Sequence, residues 1–246
     1  MSPLRNKFAR LGLWLFRHRS FLALAALPIA MAGLNSFTYI AQSREMNELW
    51  QIVCFAVSIS GLVLRALTVG FVPKETSGRN TCGQVAASLN TTGVYSLVRH
   101  PLYVGNYLAV LGCFMFFHRV WIVLAGTCIF AVLYEPIILS EEMFLRVRFG
   151  EAFERWAAAT PAWIPKLTDW KAPLLPYCWR AVLNREYTGL FVVCGVFSVF
   201  DFAGVWVVEG RWKFDSWSAL LVFGTLVYLT LRTLKKRTKL LDVNGR

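Results

Sequence analysis

The sequence predicts an all-α protein, a polytopic membrane helical bundle of six transmembrane helices with a cytoplasmic amphipathic helix after the fourth. Three observations carry that prediction. Hydrophobic residues make up 57% of the 246 and charged residues only 16%, with a mean hydropathy of +0.50, whereas a soluble domain keeps roughly a quarter of its residues charged. Six apolar runs approach the length of about 20 residues that crosses a hydrocarbon core. The basic residues, finally, gather in alternate connections between those runs. That distribution also explains the net charge of +12: it fits a membrane whose cytoplasmic side attracts Lys and Arg, and it argues against a nucleic-acid partner.

The first run, 20–41, is too long for a cleaved leader, contains Asn35 and lacks a small-residue cleavage site, so it reads as a span. The second, 48–71, is apolar apart from Arg65, whose long side chain either reaches back to the headgroups or faces a ligand. The loop 73–92 is rich in Gly, Ser, Thr and Asn. It is long for a simple connection, and loops of that length are commonly functional. The third run, 101–117, and the fourth, 120–139, are separated only by His118 and Arg119, which requires a tight antiparallel hairpin. Residues 140–159 then alternate Glu and Arg with Met, Phe, Leu and Trp, the pattern of a helix lying along a membrane surface. Gly150 is placed to divide it, and Thr160-Pro161 ends it. A Pro- and Trp-rich connector over 161–185 leads to the fifth run, 188–208, the sixth, 215–233, and a basic tail.

The organisation that follows is an N-terminal two-span segment (1–71), a catalytic and cofactor-binding module built on the hairpin (72–167), and a connector with two further spans and the tail (168–246). Twenty-one of the 26 Lys and Arg residues fall on one side of the six spans and four on the other, with Arg65 inside a span. The protein is therefore expected to be a multi-pass protein of a bacterial inner membrane, with both termini cytoplasmic. Cys54, Cys113, Cys128 and Cys194 lie in apolar runs, and Cys82 and Cys178 in loops assigned to a reducing compartment, so no disulfide framework is expected. Three His and no Cys-x-x-Cys pair argue against a metal site.

The chemistry concentrates in GVYSLVRHPLYVGNYLAVLG, residues 93–112. Pro101 suits the first position of a helix, where its missing N–H costs nothing. Arg99 and His100 precede it, beside free N–H groups and the positive end of a helix dipole, a natural seat for a ligand carboxylate. His100, Tyr103 and Tyr107 share one helical face. Gly105 and Gly112 lie seven residues apart on another, where glycine admits a neighbouring helix; Gly105 could equally make room for a cofactor. Because hairpin helices of similar length start and finish on the same side, Glu141 and Glu142 should return close to the Arg99–His100 pair. A local alternative is that Glu142 pairs with Arg146 one helical turn on.

RHPLYVG, preceded by GVY and followed some 35 residues later by an acidic pair and RFGEAFERW, resembles the isoprenylcysteine carboxyl methyltransferase family, with phospholipid N-methyltransferases as more distant relatives. The resemblance spans about 76–165. It implies an integral membrane enzyme that uses S-adenosylmethionine to methylate a lipid or prenyl-like acceptor. By position, Tyr95, His100, Pro101, Leu102, Tyr103 and Gly105 fall in the family's cofactor segment, with Glu141 or Glu142 as its acidic cofactor residue. Arg99 and His100 are catalytic candidates, joined by Glu135, which stands where the carboxylate-methylating members carry an arginine. A carboxylate there would repel an acidic acceptor. The acceptor is then an amine or hydroxyl, or another arginine such as Arg65 substitutes. Two other readings remain: a membrane reductase of the sterol-reductase type using NADPH, and a non-enzymatic transport or accessory protein, though no inverted repeat supports the last.

Overall fold

The computed structural model describes residues 3–73, 76, 84–243 and 245. Lys74, Arg79 and Cys82 of the Gly-rich loop lie outside the described residues. Among the described residues the chain folds into α1 (Pro3–Arg17), α2 (Leu27–Asn35), α3 (Arg44–Phe71), α4 (Pro101–Met115), α5 (Val120–Phe149), α6 (Glu151–Ala159), α7 (Trp179–Glu209) and α8 (Ser216–Arg237), with short 3-10 turns and no strand. The all-α expectation is met, whereas the six-span expectation is met only in part. Among the described residues four helices, α3, α5, α7 and α8, are long and apolar enough to cross a membrane.

Two of the expected spans take other forms, each for a local reason. The run 20–41 is interrupted at Pro28, which has no N–H to bond back to Leu24 and so restarts the chain as α2 after a 3-10 stretch, Arg19–Ala26. It turns again at Ala41 and Gln42, both with positive φ. The expected third span forms α4, only 15 residues long, about 22 Å at the helical rise per residue. His118, with φ +43°, turns the chain into the hairpin that leads to α5. Residues 140–149 also differ from expectation. They continue α5 without a break, so only α6 is a separate helix. Gly150 makes the division at φ +52°, a conformation that costs a side-chain-bearing residue about 1 kcal/mol or more.

Small residues set the packing. A Cβ at Gly61 would lie 2.4 Å from the Gly105 carbonyl oxygen, and one at Gly112 would lie 2.2 Å from that of Cys54. The backbones of α3 and α4 are therefore in direct contact, the arrangement by which membrane helices associate without a hydrophobic drive. Ser58 Oγ adds a bond to the Ala109 carbonyl at 2.7 Å. On its other flank α3 packs against α7, which packs in turn against α8. At one end of the bundle an aromatic core of Phe37, Phe116, Phe117, Phe197 and Trp217 fills the space between helices. There Arg44 binds Glu48, Glu209 and Asp215, tying α3 to α7 and α8. At the opposite end α1 lies on α5. Leu15 and Phe16 pack on Ile137, and Gly12 admits the Pro136 carbonyl, which a Cβ would meet at 1.9 Å. This second end brings together the close of α3, the start of α4, the acidic turn of α5 and the start of α7.

Candidate active site

Two long-range strands of hydrogen bonding shape the segment before α4. Arg99 N–H donates to the Pro161 carbonyl at 2.8 Å, and Lys166 N–H to that of Leu97 at 2.9 Å. Buried Ser96 accepts from Lys171 N–H at 3.0 Å and donates to the Gly93 carbonyl at 2.7 Å. From α6, Trp156 Nε1 donates to the Tyr95 carbonyl at 3.1 Å. The Pro-rich connector thus works as a brace that fixes the residues ahead of the helix.

His100 caps α4, with Pro101 at its first position, as the sequence implies. The imidazole is 5% exposed. Its Nε2 stands 3.0 Å from Glu142 Oε1, and its Nδ1 is 3.9 Å from Glu141 Oε2. Tyr103 stacks on the ring with centroids 5.8 Å apart. The same Glu142 oxygen meets an Arg99 terminal nitrogen at 3.0 Å. The basic and acidic clusters, 42 positions apart, therefore converge. The alternative partner for Glu142, Arg146, pairs with Glu154 instead.

Beside this cluster is a cavity of about 240 Å³. Tyr95, Arg99, His100, Pro101, Leu102, Tyr103 and Glu141 all line it. Glu142 stands behind Arg99 and His100 and holds both. Burial, reinforced by the Glu141 carboxylate, pushes the Tyr95 hydroxyl far above the usual phenol range, so it stays neutral.

Two predicted residues lie elsewhere. Gly105 faces α3: a Cβ there would meet Arg65 Cγ at 2.5 Å and the Gly61 carbonyl at 2.8 Å, so of its two readings the structure shows helix packing. Glu135 is exposed and does not line the cavity. Seven residues, nearly two full turns, separate it from Glu142, so it shares that residue's side of α5 but sits about 10 Å farther along the helix, past the cavity.

The cavity also has walls that sequence reasoning missed. Arg19 follows α1, Asn106 belongs to α4, and Arg185 and Glu186 open α7. Arg65 completes this wall and is tightly held. Its Nε and a terminal nitrogen bind the two Glu186 oxygens at 2.7 and 2.9 Å, and its other terminal nitrogen donates to Asn106 Oδ1 at 2.5 Å. The available signal was charge at depth: an arginine in an apolar run needs an acid, and Glu186 stands just ahead of the fifth apolar run.

A test of fit with an amino-acid-bearing cofactor comes from one atom. Among the described residues Arg99 Nε is buried without a hydrogen-bond partner, and leaving such a donor unmet costs about 1–3 kcal/mol. The Arg99 side chain lines a cavity that Glu141 also lines, with the start of α4 beside them. A ligand presenting both a carboxylate and an ammonium answers each of these groups.

Comparison with known proteins gives consistent relatives. The phospholipid methyltransferase family matches residues 50–152. The cobalt-zinc-cadmium resistance protein CzcN of Cupriavidus metallidurans is 34% identical over 202 residues, covering 72% of this chain and 93% of that protein. The nickel-cobalt-cadmium resistance protein NccN of Alcaligenes xylosoxydans xylosoxydans is 37% identical, covering 56% and 71% respectively. A probable protein-S-isoprenylcysteine O-methyltransferase of Oryza sativa subsp. indica is 29% identical over 56% of this chain and 74% of its own. No solved structure matches.

Proposed function

The chain belongs to the phospholipid methyltransferase family, which includes the isoprenylcysteine methyltransferases, and from that premise we propose that it is an S-adenosylmethionine-dependent enzyme methylating a lipid or lipid-like amphiphile at the cytoplasmic boundary of the membrane. The observation that carries this reading is the convergence of Arg99 and His100 with Glu141 and Glu142 beside one cavity.

S-adenosylmethionine, when bound, supplies an electrophilic methyl group on a sulfonium centre. The residues of this chain bind and orient. Arg99 offers its unmatched Nε–H to the cofactor's carboxylate, and Glu141 offers a carboxylate to the ammonium. Glu142 fixes the Arg99 and His100 side chains from behind, so neither must reorganise when ligand arrives. Tyr103 holds the imidazole plane by stacking and shields it from water. Transfer between two bound reactants then depends on positioning more than on proton chemistry.

The apolar shell supports lateral arrival of the acceptor from the bilayer. Two relatives carry metal-resistance names, and chemical modification of an envelope amphiphile is the form in which such a role fits this site. The test is incorporation of labelled methyl from S-adenosylmethionine into a total lipid extract, with mass identification of the product. Stabilisation of the free protein by S-adenosylhomocysteine and not by NADPH is expected. No stabilisation by S-adenosylhomocysteine, or stabilisation by NADPH alone, would overturn the proposal.

A further inference from the structure

Arg65 is fixed more firmly than a snorkelling side chain requires. Its stem crosses α4 at Gly105, where any side chain would collide with it. Its guanidinium is then gripped by Glu186 of α7 through two bonds and by Asn106 of α4 through a third. The Arg65 and Glu186 side chains are only 23% and 11% exposed, so the pair carries a desolvation cost that stability alone does not demand. All three residues line the cavity, on a wall built from α3, α4 and α7. The groups suited to the cofactor, Arg99 and Glu141, come from the start of α4 and from α5. Glu186 also lies beyond the 50–152 segment matched to the family, where a property particular to this chain would reside.

Resting on the methyltransferase reading, we propose that Arg65 anchors the polar head of the acceptor and that Glu186 is a positioning residue that aims it. A guanidinium has donors only, so the head it holds must present an oxygen acceptor. Glu186 occupies Nε and one terminal nitrogen and Asn106 the other, leaving the remaining terminal N–H groups directed by a fixed fork. The final helix pair thereby gains a role: α8 buttresses α7, and α7 sets the acceptor side of the site.

The test uses the full chain in detergent with Glu186→Gln, and with Arg65→Gln/Glu186→Gln, which removes both charges and leaves neither buried partner alone. Three quantities are read: S-adenosylhomocysteine affinity by calorimetry, the thermal shift given by dodecanoate, dodecanol or dodecylamine, and the lipid-extract concentration giving half-maximal methyl incorporation. In the double variant S-adenosylhomocysteine affinity should stay within about twofold, while the half-saturating acceptor concentration rises about tenfold, the loss expected for a charge-assisted contact. The dodecanoate shift should disappear. Glu186→Gln should raise half-saturation with a smaller change in maximal rate. A parallel loss of S-adenosylhomocysteine affinity would assign the clamp to the cofactor, and lowered thermal stability with unchanged half-saturation would make it structural; either overturns the proposal, as does an equal shift by dodecylamine. If the parent protein bound no S-adenosylhomocysteine, the enzyme reading would fail while the dodecanoate comparison still reported on the anchor.

Discussion

His100 makes its contacts in three directions, to Glu142, to Glu141 and to the Tyr103 ring. Glu142 is the hub, because one of its oxygens serves both His100 and Arg99. Glu142→Gln keeps the shape and removes the charge. It should weaken S-adenosylhomocysteine binding about tenfold or more, as loss of bonds worth about 1.5–3 kcal/mol implies, with a smaller effect on thermal stability; calorimetry beside a melting curve checks this. Glu135 provides the contrast. Being exposed and off the cavity, it should tolerate Gln with turnover and cofactor affinity within about twofold. The difference between these two acids shows what the sequence could carry at this scale. Cap chemistry is local, so Pro101 and the Arg99–His100 pair were readable from spacing. Whether an acid on α5 meets the cavity depends on how far along that helix the distant elements lining it fall. Arg19 and Glu186 reach the cavity only through such long-range placement, which no local pattern encodes.

At the level of helices, the glycines of α4 were legible as approach points, but their partner was not. It is α3 that receives them. Gly112→Ala would place a methyl 2.2 Å from the Cys54 carbonyl and 2.3 Å from Ser58 Oγ. Overpacking of that kind costs about 1–3 kcal/mol, so melting in detergent should drop by several degrees. A Cβ on Gly195 of α7 would meet nothing within 4 Å among the described residues. Gly195→Ala should therefore hold or raise stability, since a helical glycine is about 0.5–1 kcal/mol worse than alanine. The continuation of α5 through 149 was missed because a charged face looks like a helix leaving the membrane. Here the charges are used along the same helix: Glu142 toward Arg99 and His100, Arg146 toward Glu154 on α6. Helix α1 was missed for a related reason. Its basic residues spoke for orientation and hid the apolar side, Leu15 and Phe16, that docks on Ile137.

For the molecule as a whole, hydropathy gave the membrane class and the number of apolar runs, while counting residues could not reveal that Pro28 divides the first run or that α4 stops at 15 residues. The distribution of Lys and Arg makes a separate statement. Reporter fusions at residue 246 should show a cytoplasmic C-terminus, and a cysteine at Arg211 should react with an impermeant reagent from outside; the reverse pattern would invert the topology. The shortness of α4 has its own consequence. A helix of about 22 Å beside a hydrocarbon layer of about 30 Å cannot hold both of its ends at the lipid surface, so the bilayer must dimple toward the protein or the reaction chamber must sit sunken within the leaflet. An acceptor could then be met at the depth where its tail already rests, without being hoisted into water. Reconstitution in lipids of increasing acyl length should deepen that mismatch and change methylation rate progressively, making membrane thickness itself a control on this catalyst.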